Sequence, residues 1–457
     1  MNNYKNYDVA VINYPLMDPR IECDDYYSYF GLSSGKASSW GVPVYIHIPF
    51  CSSICKFCVY NRQVPDKAGN IIDNYVKALI NEIKIYGSSP YVKSMKIGAV
   101  FLGGGTPTCL SSTQLKELIS TIKDYLPVEN CEITVECNMK NTDEEKISQL
   151  SEIGVTRVST GIQTFDPKYR DMMELKYSVE EIFQWISIIK QYPFRDFSID
   201  LLYGLPGQTN AEWIEDINTG LTLQIDHFSI YKLTVFAYTK LYKEMSHGLI
   251  PPLPNNEEIF QMYMYADKAL KEKGFILQST QEYCKEGQRA QFWDLTYDGY
   301  GDNLSFGASS FGYINGFTYQ NIIDPNEYIK SISEKRLPVH MVSDKINAEK
   351  LMERTLLLGF RRSSVRKSLF KEQYGKEINE VFGHTITDFM NDGLVIENDD
   401  EYRLSTLGEY YQGIISAGFM QSTFNGMSTM KKKMAIGMHI VPEALLDKAA
   451  SPKLLHT

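Results

Sequence analysis

Short apolar segments alternate with amphipathic segments between residues 43 and 285, and this alternation constrains the fold more than any other feature of the chain. Helical patterns such as 75–83 and 115–122 place their apolar side chains on one face. Between the helical patterns lie six segments with the length and apolar character of buried strands: 44–48, 97–102, 132–137, 157–162, 197–203 and 228–235. This order predicts a parallel α/β sheet with crossover helices, and six units predict an open, partial (β/α)6 barrel.

One further predicted helix, 143–153, has recognisable ends. Thr142 is followed three residues later by Glu145, which predicts a capping box at its start. Gly154 predicts its end, because glycine adopts the left-handed conformation that often follows a helix.

The predicted barrel gathers the candidate functional residues at one end. In barrels of this kind the chemistry lies on loops that follow the carboxyl ends of the strands. Five segments occupy such positions: Pro49-Phe50-Cys51, Gly103-Gly104-Gly105, Glu136, Gln163 and Asp200. We therefore expect them to lie close together.

The rest of the chain divides around this barrel. Residues 1–42 are predicted to form an N-terminal extension, 43–285 the barrel and 286–344 a bridging segment. Helical patterns followed by a hairpin of 394–397 and 402–404 predict a winged-helix-like domain over 345–421. Residues 422–457 form a tail whose Lys431-Lys432-Lys433 is interpreted as a solvated charge run.

Composition narrows the class of partner. The 457 residues include 46 Lys and Arg against 56 Asp and Glu, a net charge of −10, which argues against nucleic acid and favours a packing lid for the winged domain. The N-terminus lacks the charged and apolar regions of a signal peptide. No apolar run approaches the ~20 residues of a membrane helix. We expect a cytoplasmic protein that does not enter a membrane.

Three of the eight cysteines, Cys51, Cys55 and Cys58, form a CxxxCxxC segment directly after the first predicted strand. Three thiolates can bind three corners of a cuboidal iron–sulfur cluster and leave the fourth iron open to a ligand. The alternative is structural zinc, with His47 or a remote cysteine as the fourth ligand. The spacing favours the cluster, because zinc ligands usually come in two close pairs and the chain has no second CxxC.

Four segments together resemble a known family: YIHIPFCSSICKFC (45–58), FLGGGTPT (101–108), VSTGIQTF (158–165) and IDLLYGLPGQT (199–209). They are similar to the radical S-adenosylmethionine (SAM) enzymes, in the branch of oxygen-independent coproporphyrinogen III oxidase. That branch also contains class C methylases and cyclopropanases, anaerobic haem-degrading enzymes and haem chaperones. The resemblance covers about residues 43–420.

The resemblance implies a cofactor and a set of site residues. Cys51, Cys55 and Cys58 would bind a [4Fe-4S] cluster whose reduced form, supplied by a donor such as flavodoxin or ferredoxin, cleaves SAM to methionine and a 5′-deoxyadenosyl radical. Residues implied to contact this first SAM or to pack beside the cluster are Tyr45, Phe57, Gly104, Glu136 and Phe311. A second SAM is bound in part of the branch, at positions that match Gly105, Thr106, Gln163 and Asp200. Lys176 aligns with a family arginine that pairs with a SAM carboxylate, which keeps the charge but loses the bidentate fork.

Two further departures bear on the reaction. Tyr60 stands where coproporphyrinogen oxidases have an additional cysteine, and Arg289-Ala290 stand where haem chaperones have a His-Asn pair. The resemblance therefore implies an enzyme that methylates or otherwise modifies an sp² carbon of an aromatic or tetrapyrrole-like substrate. The alternatives are coproporphyrinogen oxidation, haem ring opening, and a non-catalytic haem chaperone.

Overall fold

A nine-stranded sheet forms the centre of the computed structural model, which describes residues 13–18, 21, 23–65 and 70–420. Six parallel strands make up its middle: β1 (Gly41–Ile48), β2 (Lys96–Gly104), β3 (Val128–Cys137), β4 (Arg157–Gln163), β5 (Asp196–Tyr203) and β6 (His227–Lys232). They are the six predicted strands, and only the last ends early, because the chain leaves the sheet after Leu233 donates its N–H to the Tyr203 carbonyl at 2.9 Å. The predicted tail, 422–457, falls outside the described residues.

Helices connect consecutive strands and cover the outside of the sheet. Those up to β6 are α1 (Tyr26–Tyr29), α2 (Ile71–Gly87), α3 (Pro90–Lys93), α4 (Ser112–Tyr125), α5 (Glu144–Glu152), α6 (Pro167–Met172), α7 (Val179–Ile189) and α8 (Asn210–Thr222). The predicted capping box at Thr142 is wrong. Asp143, one residue later, caps α5 by accepting the Lys146 N–H at 2.9 Å, while Thr142 donates its hydroxyl to Asn138 instead.

Alternate residues of β1 face two different environments, as the period of a strand requires. Val44, Ile46 and Ile48 are buried in the main core between sheet and helices. Tyr45 packs instead with Phe101 of β2 and with Phe292 in a small aromatic cluster of its own. The second face is the inside of the barrel, where polar and aromatic side chains lie.

The segment after β6 completes both edges of the sheet. Two helices, α9 (Lys240–Ser246) and α10 (Asn256–Glu272), precede the antiparallel hairpin of β7 (Phe275–Ser279) and β8 (Glu282–Lys285), which pairs with β6. Helix α11 (Gln291–Thr296) then closes the amino-terminal end of the barrel, since Leu295 fills the space above Gly41 and Gly98. Strand β9 (Leu304–Phe306) pairs in parallel with β1 at the opposite edge.

Smaller elements follow on the β1 side of the barrel. A three-stranded antiparallel sheet and one helix comprise β10 (Phe311–Ile314), β11 (Phe317–Asn321), α12 (Pro325–Ser333) and β12 (Val339–Val342). The predicted bridging segment therefore does more than connect two domains: it supplies a strand of the central sheet and the helix that plugs the barrel.

The C-terminal region has the predicted helices and hairpin. Its elements are α13 (Ala348–Arg361), β13 (Ser364–Arg366), α14 (Lys367–Tyr374), α15 (Ile378–Asn391), β14 (Val395–Glu397), β15 (Glu401–Leu404), α16 (Thr406–Tyr410) and α17 (Gln412–Phe419). Strand β13, which the sequence did not indicate, adds a third strand to the hairpin. Glu409 of α16 lies 3.7 Å from Lys271 of α10, so this region packs directly on the barrel helices.

Candidate cluster and cofactor site

The three clustered cysteines lie on a loop that leaves β1 and returns to it. The loop is closed at its base, because the Cys51 N–H donates to the Gln63 carbonyl at 3.0 Å and the Gln63 N–H donates to the Pro49 carbonyl at 2.9 Å. Phe57 anchors the middle of the loop in an apolar cluster that includes Leu202 and Leu241. The loop is therefore held at both its base and its tip before any cofactor binds.

The three thiols of this loop lie in an environment that changes their pKa values. Burial, and after it the neighbouring Cys58 and Cys51 thiolates, raise the pKa of the Cys55 thiol to about 11. Burial likewise raises the pKa of Cys51 and Cys58, against which the Arg62 guanidinium acts. Iron that replaces the thiol protons removes this penalty, so the donor set fits a thiolate-bound metal group.

The described residues contain no three His, Cys, Asp or Glu side chains that converge on a single metal ion. His47, a fourth ligand in the zinc alternative, already has partners: its Nε2 lies 3.1 Å from the Asn61 carbonyl and its Nδ1 lies 3.2 Å from the Tyr45 hydroxyl. Burial lowers the pKa of His47 to about 4, so the ring is neutral, with one nitrogen donating and the other accepting.

The glycine-rich end of β2 lies directly beside the cysteine loop. Gly104 has φ +110°, and a Cβ there would lie 2.6 Å from Cε1 of His47. A Cβ on Gly105 would lie 2.7 Å from the Phe50 carbonyl oxygen. The hydroxyl of Thr106 lies 3.5 Å from the Cys51 sulfur. Glycine is required at the first two positions because the backbone itself must approach these groups.

Two carboxylates face each other across the interior. Glu136, at the end of β3, accepts the Gly104 N–H at 3.2 Å. Burial, and after it the charge of Asp200, raises the pKa of Glu136 to about 8. Burial and then the charge of Glu282 raise the pKa of Asp200 to about 7, against the smaller effects of Ser229 and Arg157. The interior is thus enclosed and acidic.

Gln163 lies beside these carboxylates and has an unusual backbone conformation. It has φ +72°, beside a bulge between β4 and β5, and non-glycine residues in this region often mark functional sites. Its side-chain nitrogen would lie 2.2 Å from a Cβ at Gly161, whose partner across the sheet is Asp200. Gln163 and Asp200 therefore lie next to each other.

Two predicted site residues lie apart from this group. Lys176 is exposed on the loop after α6, where its charge contributes to lowering the pKa of Glu174. Phe311 begins β10, half-buried, and its carbonyl accepts the Ser305 hydroxyl.

Three residues near the site were not predicted from the sequence. Arg62 donates to the carbonyls of Tyr60 and Cys58 at 2.9 and 2.6 Å, so it braces the cysteine loop. Glu282 accepts hydrogen bonds at 2.8 Å from both Ser229 and Tyr231 of β6. Arg62 could have been found from its place four residues after Cys58, whereas Glu282 enters from an antiparallel hairpin that no motif marks.

Tyr60 was singled out only as a departure. Its side chain is 63% exposed, yet enclosure by the barrel and then the charge of Glu136 raise the pKa of its hydroxyl, so that exposure is toward the interior.

Comparison with known proteins agrees with this geometry. The model of the Radical SAM superfamily matches residues 45–219, and the HemN C-terminal domain matches residues 346–410. The heme chaperone HemW of Bacillus subtilis (strain 168) is 31% identical over 383 residues, which cover 82% of this chain and 98% of HemW. The chain belongs to the HemN- and HemW-like branch of the radical SAM superfamily.

Two further known proteins are similar to this radical SAM protein. The anaerobilin synthase of Escherichia coli O157:H7 is 29% identical over 325 residues, 70% of this chain and 72% of that enzyme. The structure of coproporphyrinogen III oxidase (HemN) from Escherichia coli superposes with a TM-score of 0.76 at 19% identity, covering 89% of this chain and 96% of that one. The shared fold confirms the predicted radical SAM barrel with its C-terminal domain.

As a member of this branch, the radical SAM protein binds a [4Fe-4S] cluster and SAM. The residues present fit both groups: three thiols on one anchored loop, and beside them a glycine backbone that a Cβ would obstruct. In the described residues, no helix is long and apolar enough to cross a bilayer.

Proposed function

We propose that this radical SAM protein is an enzyme that binds two SAM molecules and adds a one-carbon unit to an sp² carbon of an aromatic or tetrapyrrole-like substrate. When bound, the reduced cluster and the first SAM supply a 5′-deoxyadenosyl radical, and the second SAM supplies the carbon. Cys51, Cys55 and Cys58 hold the cluster. Ile54 in the same loop is 45% exposed, which leaves the loop accessible to a reduced flavodoxin- or ferredoxin-like donor.

The first SAM site is assigned to the end of β2 and its neighbours. The Gly104 backbone lies open beside the cysteine loop, and Glu136 accepts from its N–H while the other carboxylate oxygen remains for an amine or hydroxyl group. Tyr45 donates to His47, which itself packs on Gly104. Phe57 packs beside the cluster, and Lys176 and Phe311 are assigned to the outer side of the same site.

The second SAM site is supported by one observation above all: Gln163, at the end of β4, and Asp200, in the middle of β5, lie side by side near Glu136. Gly105 and Thr106 complete this site. SAM carries a sulfonium and an ammonium group, so two molecules bring positive charge into a space lined by Glu136, Asp200 and Glu282. Carboxylates whose pKa values are raised by burial and by one another are stabilised when such cations bind.

Helix α11 bears on the haem chaperone alternative, which the names of several relatives favour. In this chain Arg289 donates to Asp294 of α11 and Ala290 is fully buried, so neither offers an imidazole or amide ligand to iron. Phe292 packs 4.8 Å from Phe101 inside the barrel, ring centroid to centroid. The side chains of α11 and of the residues just before it close the barrel. This use supports a catalytic function rather than haem transport.

The proposal can be tested without knowing the substrate. Anaerobically reconstituted protein is incubated with dithionite and SAM labelled as CD₃. If the adenosyl radical removes hydrogen from the methyl group of a second SAM, the 5′-deoxyadenosine formed carries one deuterium. Unlabelled 5′-deoxyadenosine would contradict the two-SAM route while leaving SAM cleavage intact.

A matched pair of variants sharpens this test. Asp200→Asn should still form 5′-deoxyadenosine but without deuterium, because only the second site is altered. Asp216→Asn is the control, since Asp216 is also buried but accepts from Thr164 and Phe165 outside the site. Haem ring opening is examined by adding haem to the same reactions: loss of its Soret band with 5′-deoxyadenosine formation would favour that alternative, as the likeness to anaerobilin synthase suggests.

A further inference from the structure

A buried carboxylate on the outside of the barrel, Glu82 of α2, lies at the centre of a hydrogen-bond network that ends at the cofactor site. Its side chain is 0% exposed. Three donors reach it: the Tyr328 hydroxyl at 2.6 Å and the Gly307 N–H at 2.8 Å on Oε2, and the Asn321 amide at 2.7 Å on Oε1. In the described residues, no lysine, arginine or histidine forms an ion pair with it. Burial raises the pKa of Glu82 to about 7, and the three donors act against that rise, so they offset part of the cost of burying the carboxylate.

All three donors belong to the segment that follows β9. Asn321 donates in addition to the Gly307 carbonyl at 3.2 Å, so both sides of the Gly307 peptide are held. Tyr75, two turns before Glu82 on the same helix, accepts the Ala308 N–H at 2.8 Å. The loop that begins at Gly307 is therefore fixed to α2 at two adjacent residues, Gly307 and Ala308, and to β11 through Asn321.

The loop that begins at Gly307 packs against the end of β1, directly before the cysteine loop. The Tyr75 hydroxyl that accepts from Ala308 donates to the His47 carbonyl at 2.8 Å. Gly307 has φ +95°, and a Cβ there would lie 2.5 Å from the His47 carbonyl oxygen. His47 in turn packs on Gly104 with its ring. Thus Glu82 fixes a loop that touches β1 from one side, while Gly104 and Gly105 touch it from the other.

We propose that Glu82 is a positioning residue for SAM: through Gly307 and the loop that Tyr75 also holds, it fixes the end of β1, where His47 packs on Gly104. The proposal rests on the assignment of the first SAM to Gly104 and Glu136. Glu82 would act on SAM binding without touching SAM. No sequence motif marks this role.

The isosteric change Glu82→Gln is a sharp test, because an amide keeps only one of the two acceptor oxygens that the three donors use. If its NH₂ replaces Oε2 it faces the Gly307 N–H, and if it replaces Oε1 the Asn321 amide must turn to accept from it and lose its bond to the Gly307 carbonyl. We expect Glu82→Gln to retain its cluster, measured as iron and sulfide per chain, and to bind SAM about tenfold more weakly. The electron paramagnetic resonance (EPR) signal of the reduced cluster should change only at correspondingly higher SAM concentrations.

A second variant and a control keep the test decisive. Tyr328→Phe removes one donor and leaves the carboxylate, so it should fold and show a smaller change in the same direction. Glu409→Gln, a buried carboxylate at the contact of α16 with α10, should bind SAM as the wild type does. Hydrogen–deuterium exchange of peptides covering 304–311 should be faster in Glu82→Gln and Tyr328→Phe but unchanged in Glu409→Gln.

The outcomes separate this proposal from the function proposed above. Wild-type SAM affinity in both Glu82→Gln and Tyr328→Phe would overturn the positioning role and leave the proposed reaction intact. Loss of cluster in parallel with SAM binding would also overturn it, because it would show a scaffold role only. If the wild-type holoprotein itself binds SAM but transfers no deuterium, the two-SAM reaction fails while the role of Glu82 stands.

Discussion

The hydroxyl of Thr106 lies 3.5 Å from the sulfur of Cys51, so the glycine-rich loop after β2 touches the first of the three cysteines proposed to bind the cluster. This contact joins the two motifs that the sequence separates by 55 residues. A hydroxyl at this position donates to the sulfur once the thiolate binds iron, which stabilises the more negative, reduced state of the cluster.

Replacing Thr106 with valine removes this donor and keeps the shape of the side chain. We expect Thr106→Val to assemble a full cluster with a lower reduction potential, measured by EPR-monitored redox titration. The control is Thr318→Val, because the buried Thr318 hydroxyl in β11 has no hydrogen-bond partner among the residues that the structure describes. An unchanged potential in Thr106→Val would mean that the hydroxyl does not donate to the sulfur.

Gly104→Ala should weaken SAM binding more than tenfold, because the methyl group would meet the His47 ring and the positive φ would be strained. We expect a fall in the free energy of unfolding of about 1–3 kcal/mol, measured by chemical denaturation. Gly383→Ala is the matched control: its nearest neighbour is 3.8 Å from the new Cβ, and alanine in α15 should stabilise by about 0.5–1 kcal/mol. SAM affinity equal to wild type in Gly104→Ala would place SAM elsewhere.

Cys55→Ala should abolish cluster assembly. Two thiolates cannot hold a cuboidal cluster stably, so iron and sulfide after anaerobic reconstitution should fall to background. Cys131→Ala, which lies at the far end of β3, should reconstitute fully. A complete cluster and continued SAM cleavage in Cys55→Ala would show that the three-cysteine assignment is wrong.

The contact between α16 and α10 should make stability depend on pH. Burial raises the pKa of Glu409 from 4.5 to about 7, against the opposing charge of Lys271 and with Asp267 adding to the rise. A raised pKa means that the folded state binds the proton more tightly, so this contribution is complete below pH 4.5 and is lost as the pH rises through 7.

Glu409→Gln should remove this part of the dependence. The decrease in the free energy of unfolding between pH 5 and pH 8 should be smaller in the variant than in the wild type, by at most about 3 kcal/mol. Urea denaturation at a series of pH values measures it. Identical pH slopes would mean that Glu409 is not protonated near neutral pH.

Much of the barrel could be predicted, because each central strand can be recognised from its own short stretch of sequence. Each central strand is a short segment with buried apolar residues that alternates along the chain with amphipathic helices, and most of the residues that the structure gathers lie at or near the strand ends. Cys51, Gly104 and Glu136 lie within one site as expected, since carboxyl ends of parallel strands share an edge.

Features that depend on distant partners were missed. Strand β9 has only three residues, and nothing within Leu304–Phe306 indicates that it pairs with β1. The start of α5 was misplaced by one residue, because Thr142 and Asp143 are both competent caps and only the fold decides between them. Glu82 did leave a signal: it lies on the apolar face of α2 between Leu79 and Ile83, where a solvated glutamate would not be expected.

The pairing of β9 with β1 has a consequence for how the protein is made. Until Leu304–Phe306 has been synthesised, the strand that carries the cysteine loop is an open sheet edge with unpaired backbone groups, a state prone to association with other chains. The portion that matches the superfamily, 45–219, therefore lacks the strand that covers this edge. We expect the cysteine loop to settle only after about two thirds of the chain has been synthesised, so that cluster insertion follows late in biogenesis.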